Sequence, residues 1–415
     1  MSSSLRPDRR LVGCRCSYEE PAIQVSEGRR GSSPPGRKAF CTTLSPGFIL
    51  YYERDGSGRQ ALSGPTGARD AILKPGRGPL PLPQIRQRLC CRSETRIVVL
   101  AAGVSQAGQN QAATPALLDV DPGIDDALAI LLALSSPELS LEGITVVAGN
   151  VEVDIGLRNA RQVLELAGRS EVPVARGAEA PLVGRLVTSR HVHGENGLGN
   201  VELPAPSGVA YAHTATELIV SKIREHAGRI TLVPMGPLTN IATVLKQYSE
   251  LASDIKEIVL MGGSLSGGNI TPAAEFNVYN DPEAAEIVFH SGVPIVMVGL
   301  DVTRKTILGP DRLRSVRKTA SPISQFVGNL AEFHLDDRGA HGIMMHDPLA
   351  VGVVIDRTFV ETQDLHVGVE TEGEKTRGET VAGREELTPN AQVCVEVDSE
   401  RFLSFFMERV LGVKR

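Results

Sequence analysis

The stretch Ala116-Leu117-Leu118-Asp119-Val120-Asp121-Pro122-Gly123-Ile124-Asp125-Asp126-Ala127-Leu128-Ala129-Ile130 sets the reading of the chain. Ala116–Val120 is a short apolar run of strand length, Pro122-Gly123 supplies a turn, and Ala127–Leu134 carries the apolar content of a buried helix. Four carboxylates, Asp119, Asp121, Asp125 and Asp126, crowd the junction, with Asp125 and Asp126 at the start of the helix. A helix dipole offsets only about 1 kcal/mol of such repulsion, so a hard cation is the better explanation. Oxygen-only donors suit calcium or magnesium rather than zinc. A solvated acidic cap is the bland alternative.

Outward from this junction the same alternation repeats. Ile144–Ala148, Ile230–Pro234, Glu257–Met261 and Pro294–Leu300 read as further short strands, and Thr214–His226 and Pro282–His290 have helical spacing. A helix also follows the second strand, to about Ala167. This predicts an α/β fold with a mainly parallel central sheet flanked by helices. Ligands of such sheets bind beyond the carboxyl ends of the strands. Polar or glycine-rich elements stand at those ends: Asn150, Met235-Gly236-Pro237, Met261-Gly262-Gly263, then Asn269 and Glu275-Phe276-Asn277. His346-Asp347-Pro348 precedes another apolar helix.

Charge divides the chain of 415 residues in two. Residues 1–96 carry 17 Lys and Arg against 8 Asp and Glu; the remainder carries 26 against 41. An acidic body with aromatics at 4% and no Trp argues against nucleic-acid binding. No apolar run is long enough to span a bilayer. Five of six cysteines fall before residue 92, leaving Cys394 in the body, the pattern of a reducing, cytoplasmic compartment rather than a disulfide framework. Residues 1–95 lack sustained periodicity and are rich in Gly, Ser and Pro, so 1–114 is expected to be a disordered leader and linker, with 115–415 as one domain. Frequent Arg and Ser leave organellar targeting as an alternative.

The ordered motifs DVDPGIDDALAI (119–130), HGENGLG (193–199), PMGPLTNIA (234–242), LMGG (260–263), AEFNVYNDPEAA (274–285), HDPLAV (346–351) and GETVAG (378–383) resemble those of the inosine–uridine-preferring nucleoside hydrolase family, from about Pro115 onward. The resemblance implies hydrolysis of the N-glycosidic bond of ribonucleosides with one Ca2+ as cofactor. It implies Asp121, Asp126, Asp347 and the Met235 carbonyl as ligands, with Asp121 also the general base and Asn150 beside the water. Asp125 and Asn277 would grip the ribose hydroxyls, Asn269 and Glu275 its 5′ end, and Met261 would line its face. His193 would lie near the base. Members are usually homodimers or homotetramers.

Oxocarbenium character on the ribose calls for surrounding carboxylate and amide oxygens, and the leaving base for a donor. His346, beside Asp347, is that donor in our reading, since imidazole titrates near neutrality. His191 and His341 are read as surface residues, His334 as a possible base contact, and Phe276 as a core residue. Two rivals remain: an aspartyl-phosphate phosphohydrolase suggested by DVDPG, which Pro122 and the paired helix-start aspartates fit poorly, and a non-catalytic nucleoside-binding protein. The Ser-Gly-Gly-Asn run at 266–269 lacks the spacing and lysine of a phosphate-binding loop.

Overall fold

In the computed structural model, residues 112–207, 211–316, 321–336, 342–383 and 387–413 are described, together with the backbone of 38–45, 48–54 and 60–61. Contacts divide the chain into Met1–Gln109 and Asn110–Arg415. In the first unit, strands β1 (Lys38–Ser45), β2 (Phe48–Arg54) and β3 (Gln60–Ala61) form an antiparallel sheet. Within this stretch, read from sequence as lacking sustained periodicity, Phe48, Ile49, Tyr51 and Tyr52 are strand formers that pair with Lys38–Ser45. Elsewhere the leader reading falls outside the described residues.

The second unit runs β4 (Thr114–Val120), α1 (Ile124–Leu134), β5 (Leu139–Val146), α2 (Val153–Leu166), β6 (Val174–Arg176), α3 (Arg190–His193), α4 (Ala215–Glu225), β7 (Ile230–Pro234), α5 (Thr239–Gln247) and β8 (Ile255–Met261). There follow α6 (Phe276–Asn280), α7 (Pro282–Phe289), β9 (Ile295–Val298), α8 (Leu300–Thr303), β10 (Ile307–Leu308), α9 (Pro310–Val316), α10 (Pro322–Asp336), β11 (Ile343–Met344) and α11 (His346–Ile355). The chain ends with β12 (Val360–Leu365), β13 (Val367–Val369), β14 (Thr380–Ala382), β15 (Ala391–Val397) and α12 (Ser399–Leu411). Thr114, expected in the linker, opens β4.

Eight strands form one sheet in the order β12-β15-β9-β8-β7-β4-β5-β6, parallel except for β12 at the edge. Alternation along β4 sends Leu118 and Val120 into one apolar layer and Leu117 into the other, so both faces are covered. Helix α1 is buried from Ile124 through Ala133, which explains its nearly unbroken apolar sequence; it lies against α11 and α12 as well as the sheet. Each of its large side chains contributes roughly 1.5–3 kcal/mol by burial.

The chain leaves β4 toward β5 and β6 on one side and returns to β7 on the other. The direction of winding therefore reverses between β4 and β7, and a crevice opens at their carboxyl ends. Asp121 follows β4 there, and Met235 follows β7.

Candidate active site

Four carboxylates converge in that crevice. Oxygens of Asp125, Asp126 and Asp347 lie within 4.8 Å of one another, and all three side chains are buried. Asp121 is fully buried next to them, close enough for its charge and those of Asp125 and Asp126 to act on one another. The mutual group comprises Asp125, Asp126 and Asp347, with Asp121 buried within reach of their charges. Asp126, at the third position of α1, folds back to accept from the backbone N–H groups of Gly123 (2.8 Å) and Asp121 (3.2 Å). That loop-to-helix closure aims the carboxylates of one octapeptide at a single point.

Burial pushes every member upward, and neighbouring negative charge adds to it for Asp121, Asp125 and Asp347, whereas hydrogen bonds restrain Asp126. Asp126 rises to about 6 and Asp125 to about 8, while Asp121 and Asp347 rise well above the usual carboxylate range. The Asp126 and Asp347 carboxylates lie close enough to act on one another, and burial pushes both upward. Asp121 Oδ1 and Asp125 Oδ1 are buried without a hydrogen-bond partner. Such atoms are costly unless something positive completes them. The donor set is oxygen throughout, and it fits a hard divalent cation.

Asn150, at the end of β5, ties the carboxylates together. Its N–H donates to Asp121 Oδ2 (2.7 Å) and its amide nitrogen to Asp126 Oδ2 (3.2 Å). Its Oδ1 accepts from the Ser189 hydroxyl at 2.5 Å. Behind this layer, Asp119 accepts from the Thr145 hydroxyl (2.5 Å) and the Asn240 amide (2.8 Å), and burial raises its carboxyl to about 7. The backbone carbonyl of Asp119 receives the N–H of Met235 at 2.7 Å, so β4 fixes the turn after β7.

A cavity of about 550 Å³ opens above this floor, a volume suited to a small-molecule ligand. Its lining includes Asp125, Asn150, Met235, Asp347 and the expected sugar-side residues Met261, Asn269, Glu275 and Asn277. His193 and His346 line it too, whereas Asp121 and Asp126 are not among the lining residues. The Asn277 amide nitrogen donates to the carbonyls of Met235 (2.7 Å) and Met261 (3.1 Å), which turns its Oδ1 into the group left to accept from a ligand. One Glu275 oxygen accepts three backbone N–H groups, those of Gly263, Asn277 and Val278. Asn269 Oδ1 receives the Phe276 N–H at 2.9 Å.

His193 Nδ1 accepts from the Ile124 N–H at 3.0 Å, which makes Nε2 the protonated nitrogen of the neutral ring. Asp125 Oδ1, 3.7 Å from that Nδ1, therefore faces an occupied lone pair rather than a cation. His346 Nδ1 lies 2.8 Å from the buried Thr303 hydroxyl. His191 is exposed, as read from the sequence, yet lies at the rim of the cavity. Phe276, read as core, is buried and also lines the cavity. His341 and the His334 side chain fall outside the described residues. Ser189, Thr303, Arg304, Ile343 and Met344 were not singled out from sequence; each is ordinary in its local context, although Asp-Val-Thr-Arg directly after a strand was a signal that could have been read.

The model of the inosine-uridine preferring nucleoside hydrolase family matches residues 116–404. The chain is 45% identical over 306 residues to the pyrimidine-specific ribonucleoside hydrolase of Citrobacter koseri, covering 72% of this chain and 98% of that protein. Identity to the enzyme of the same name from Salmonella arizonae is 46%, with the same coverage. Among solved structures, a purine-preferring ribonucleoside hydrolase from Gardnerella vaginalis matches with TM-score 0.69 at 38% identity, over 72% of this chain and 98% of that one. A plant nucleoside hydrolase matches with TM-score 0.69 at 32% identity, over 72% and 99%.

Proposed function

The chain belongs to the inosine-uridine preferring nucleoside hydrolase family and is a ribonucleoside hydrolase, and from that premise we propose how its own residues carry the reaction. Asp121, Asp126, Asp347 and the second lone pair of the Met235 carbonyl would hold Ca2+, which when bound supplies positive charge that makes a neighbouring water more acidic. Asp121 takes a proton from the water that attacks the anomeric carbon. Asn150 keeps Asp121 and Asp126 in place through its N–H and amide nitrogen. Asp125 and Asn277 Oδ1 accept hydrogen bonds from the ribose 2′- and 3′-hydroxyls, and Asn269 and Glu275 bind the 5′ end. Met261 packs on the sugar face.

As the glycosidic bond stretches, positive charge grows on the ribose and the surrounding oxygens stabilise it. His346 donates a proton to the departing base. With the Thr303 hydroxyl at Nδ1, that proton is carried on Nε2. His193, through its own Nε2–H, acts on the base side of the cavity.

The observation that supports this reading is the convergence of Asp125 and Asp126 with Asp347, more than two hundred positions away, in one buried cluster, with the buried Asp121 close enough for its charge to act on Asp347. A non-catalytic binding protein would have no need to bury four carboxylates that burial disfavours. Pyrimidine ribonucleosides are our first candidate substrates, on the likeness to relatives so named. A homodimer or homotetramer is proposed from the family alone. We place the enzyme in the cytoplasm; the buried free thiol of Cys394 is in keeping with a reducing compartment.

The test is release of reducing sugar from uridine, cytidine, inosine and adenosine by the purified chain, with calcium and with chelator. Turnover that needs the cation supports the reading; none from any of the four, with calcium present, overturns it.

A further inference from the structure

Segment 299–304, directly after β9, runs along the cavity wall, with Leu300 and Arg304 among the lining residues. The Leu300 N–H donates to the Gly263 carbonyl at 3.0 Å, and Asp301 Oδ2 accepts the Leu265 N–H at 2.9 Å. Thr303 meets His346 on one side. On the other, the Arg304 guanidinium donates to two successive carbonyls, Gly267 (3.1 Å) and Gly268. Arg304 is half-buried and itself lines the cavity.

Within the loop the Gly268 N–H donates to the Pro272 carbonyl at 3.0 Å and the Asn269 N–H to the Ala274 carbonyl at 3.1 Å, while the carbonyls of Gly267 and Gly268 are met by Arg304. Gly267 has φ +99°, a conformation other residues avoid. Gly268 passes so close to Ala274 that a Cβ there would meet its carbonyl oxygen at 1.9 Å, which leaves no room for a side chain. Two adjacent glycines carry large conformational freedom and no side chain to pack. The next residue is Asn269, which lines the cavity and whose Oδ1 accepts the Phe276 N–H. A planar guanidinium can grip two neighbouring carbonyls at once, whereas a lysine ammonium is a single point.

We propose that Arg304 is a positioning residue for recognition of the substrate's 5′-hydroxyl: by clamping the Gly267 and Gly268 carbonyls it fixes Asn269. This rests on the reading of Asn269 and Glu275 as the 5′ grip.

The experiment compares kcat/KM for uridine with 5′-deoxyuridine, and inosine with 5′-deoxyinosine, in the full calcium-loaded chain. The wild-type chain is expected to favour the 5′-hydroxyl by about tenfold or more, the scale of one or two hydrogen bonds in a cavity. Arg304→Met should bring that ratio to within about threefold of unity while leaving turnover of the 5′-deoxy substrate nearly as before. Arg304→Lys should retain more of the ratio than Arg304→Met. Combining Asn269→Ala with Arg304→Met should give the same ratio as Asn269→Ala alone. Calcium-dependent thermal transitions of each variant check that the fold is intact.

Equal losses on hydroxylated and deoxy substrates would overturn the inference in favour of a merely structural role. Additive losses in the double variant would overturn it too, since Arg304 would then act other than through Asn269. A wild-type ratio near one, unchanged by Asn269→Ala, would refute the 5′ grip itself and the inference with it. Failure of the inference alone shows only in the Arg304 variants.

Discussion

Gly149 gives the most direct test of the geometry around Asp121. A methyl group there would sit 2.0 Å from Asp121 Oδ2, 2.8 Å from its Cγ and 2.8 Å from Pro237 Cδ. Ordinary contact begins near 3.4 Å, so the carboxylate would have to retreat by about 1.4 Å. The oxygen displaced is the one receiving the Asn150 N–H at 2.7 Å, so that hydrogen bond is lost as well. A misplacement of about 1 Å at a reacting group costs on the order of 100-fold in rate. That corresponds to about 2.7 kcal/mol of transition-state stabilisation. Overpacking adds about 1–3 kcal/mol of lost stability. We therefore expect Gly149→Ala to fold with a lowered Tm and to release reducing sugar from its best nucleoside with kcat reduced about 100-fold. A kcat within about threefold of the parent would show that Asp121 does not need this position, and the assignment of its role would fall.

Asp121→Ala should lower kcat by roughly two to four orders of magnitude, the range for a lost general base, and near-normal turnover in a reducing-sugar assay would refute that role. In chelator, stability should fall as pH rises. Burial raises Asp126 to about 6 and Asp125 to about 8, so the folded chain favours their protonated forms, and the stability they contribute, complete below the unfolded value near 3.8, is lost as pH climbs through those values. A cation that binds the ionised carboxylates offsets this loss, so the Tm difference between calcium and chelator should widen from pH 5 to pH 8; a constant difference in a thermal scan would contradict it. Asn240→Ala removes the amide that donates to Asp119 and accepts the Ala178 N–H (2.9 Å), leaving that N–H without its partner and Asp119 Oδ1 with the Thr145 hydroxyl alone; a loss of about 1–3 kcal/mol in denaturant unfolding is expected, and an unchanged midpoint would count against the network.

Much was legible from residues 116–130 because the determinants there are local. An apolar run, a Pro-Gly turn and a helix start are neighbours in sequence, and four carboxylates within eight positions have to be reconciled by their immediate surroundings. The strands Ile230–Pro234 and Glu257–Met261 were likewise written in short apolar runs, and the first has the bounds read from sequence. The antiparallel edge formed by β12 and β15 was missed. Val360–Leu365 is mostly exposed and polar, and its strand character comes from pairing with Ala391–Val397 rather than from an apolar pattern.

By itself, then, the sequence determined the repeating strand–helix units and which residue types would be offered at the strand ends. Tertiary structure decided what those residues meet. The strand order puts Met235 beside Asp121, α11 brings Asp347 onto Asp126, and the Ser189 hydroxyl reaches Asn150 across a loop. Arg304 became visible only as the partner of two glycine carbonyls from another segment. The physical reason is the range of the forces involved. Turns, caps and apolar periodicity act over a few residues, whereas a hydrogen bond or charge contact depends on distance in space, which the folded sheet alone sets.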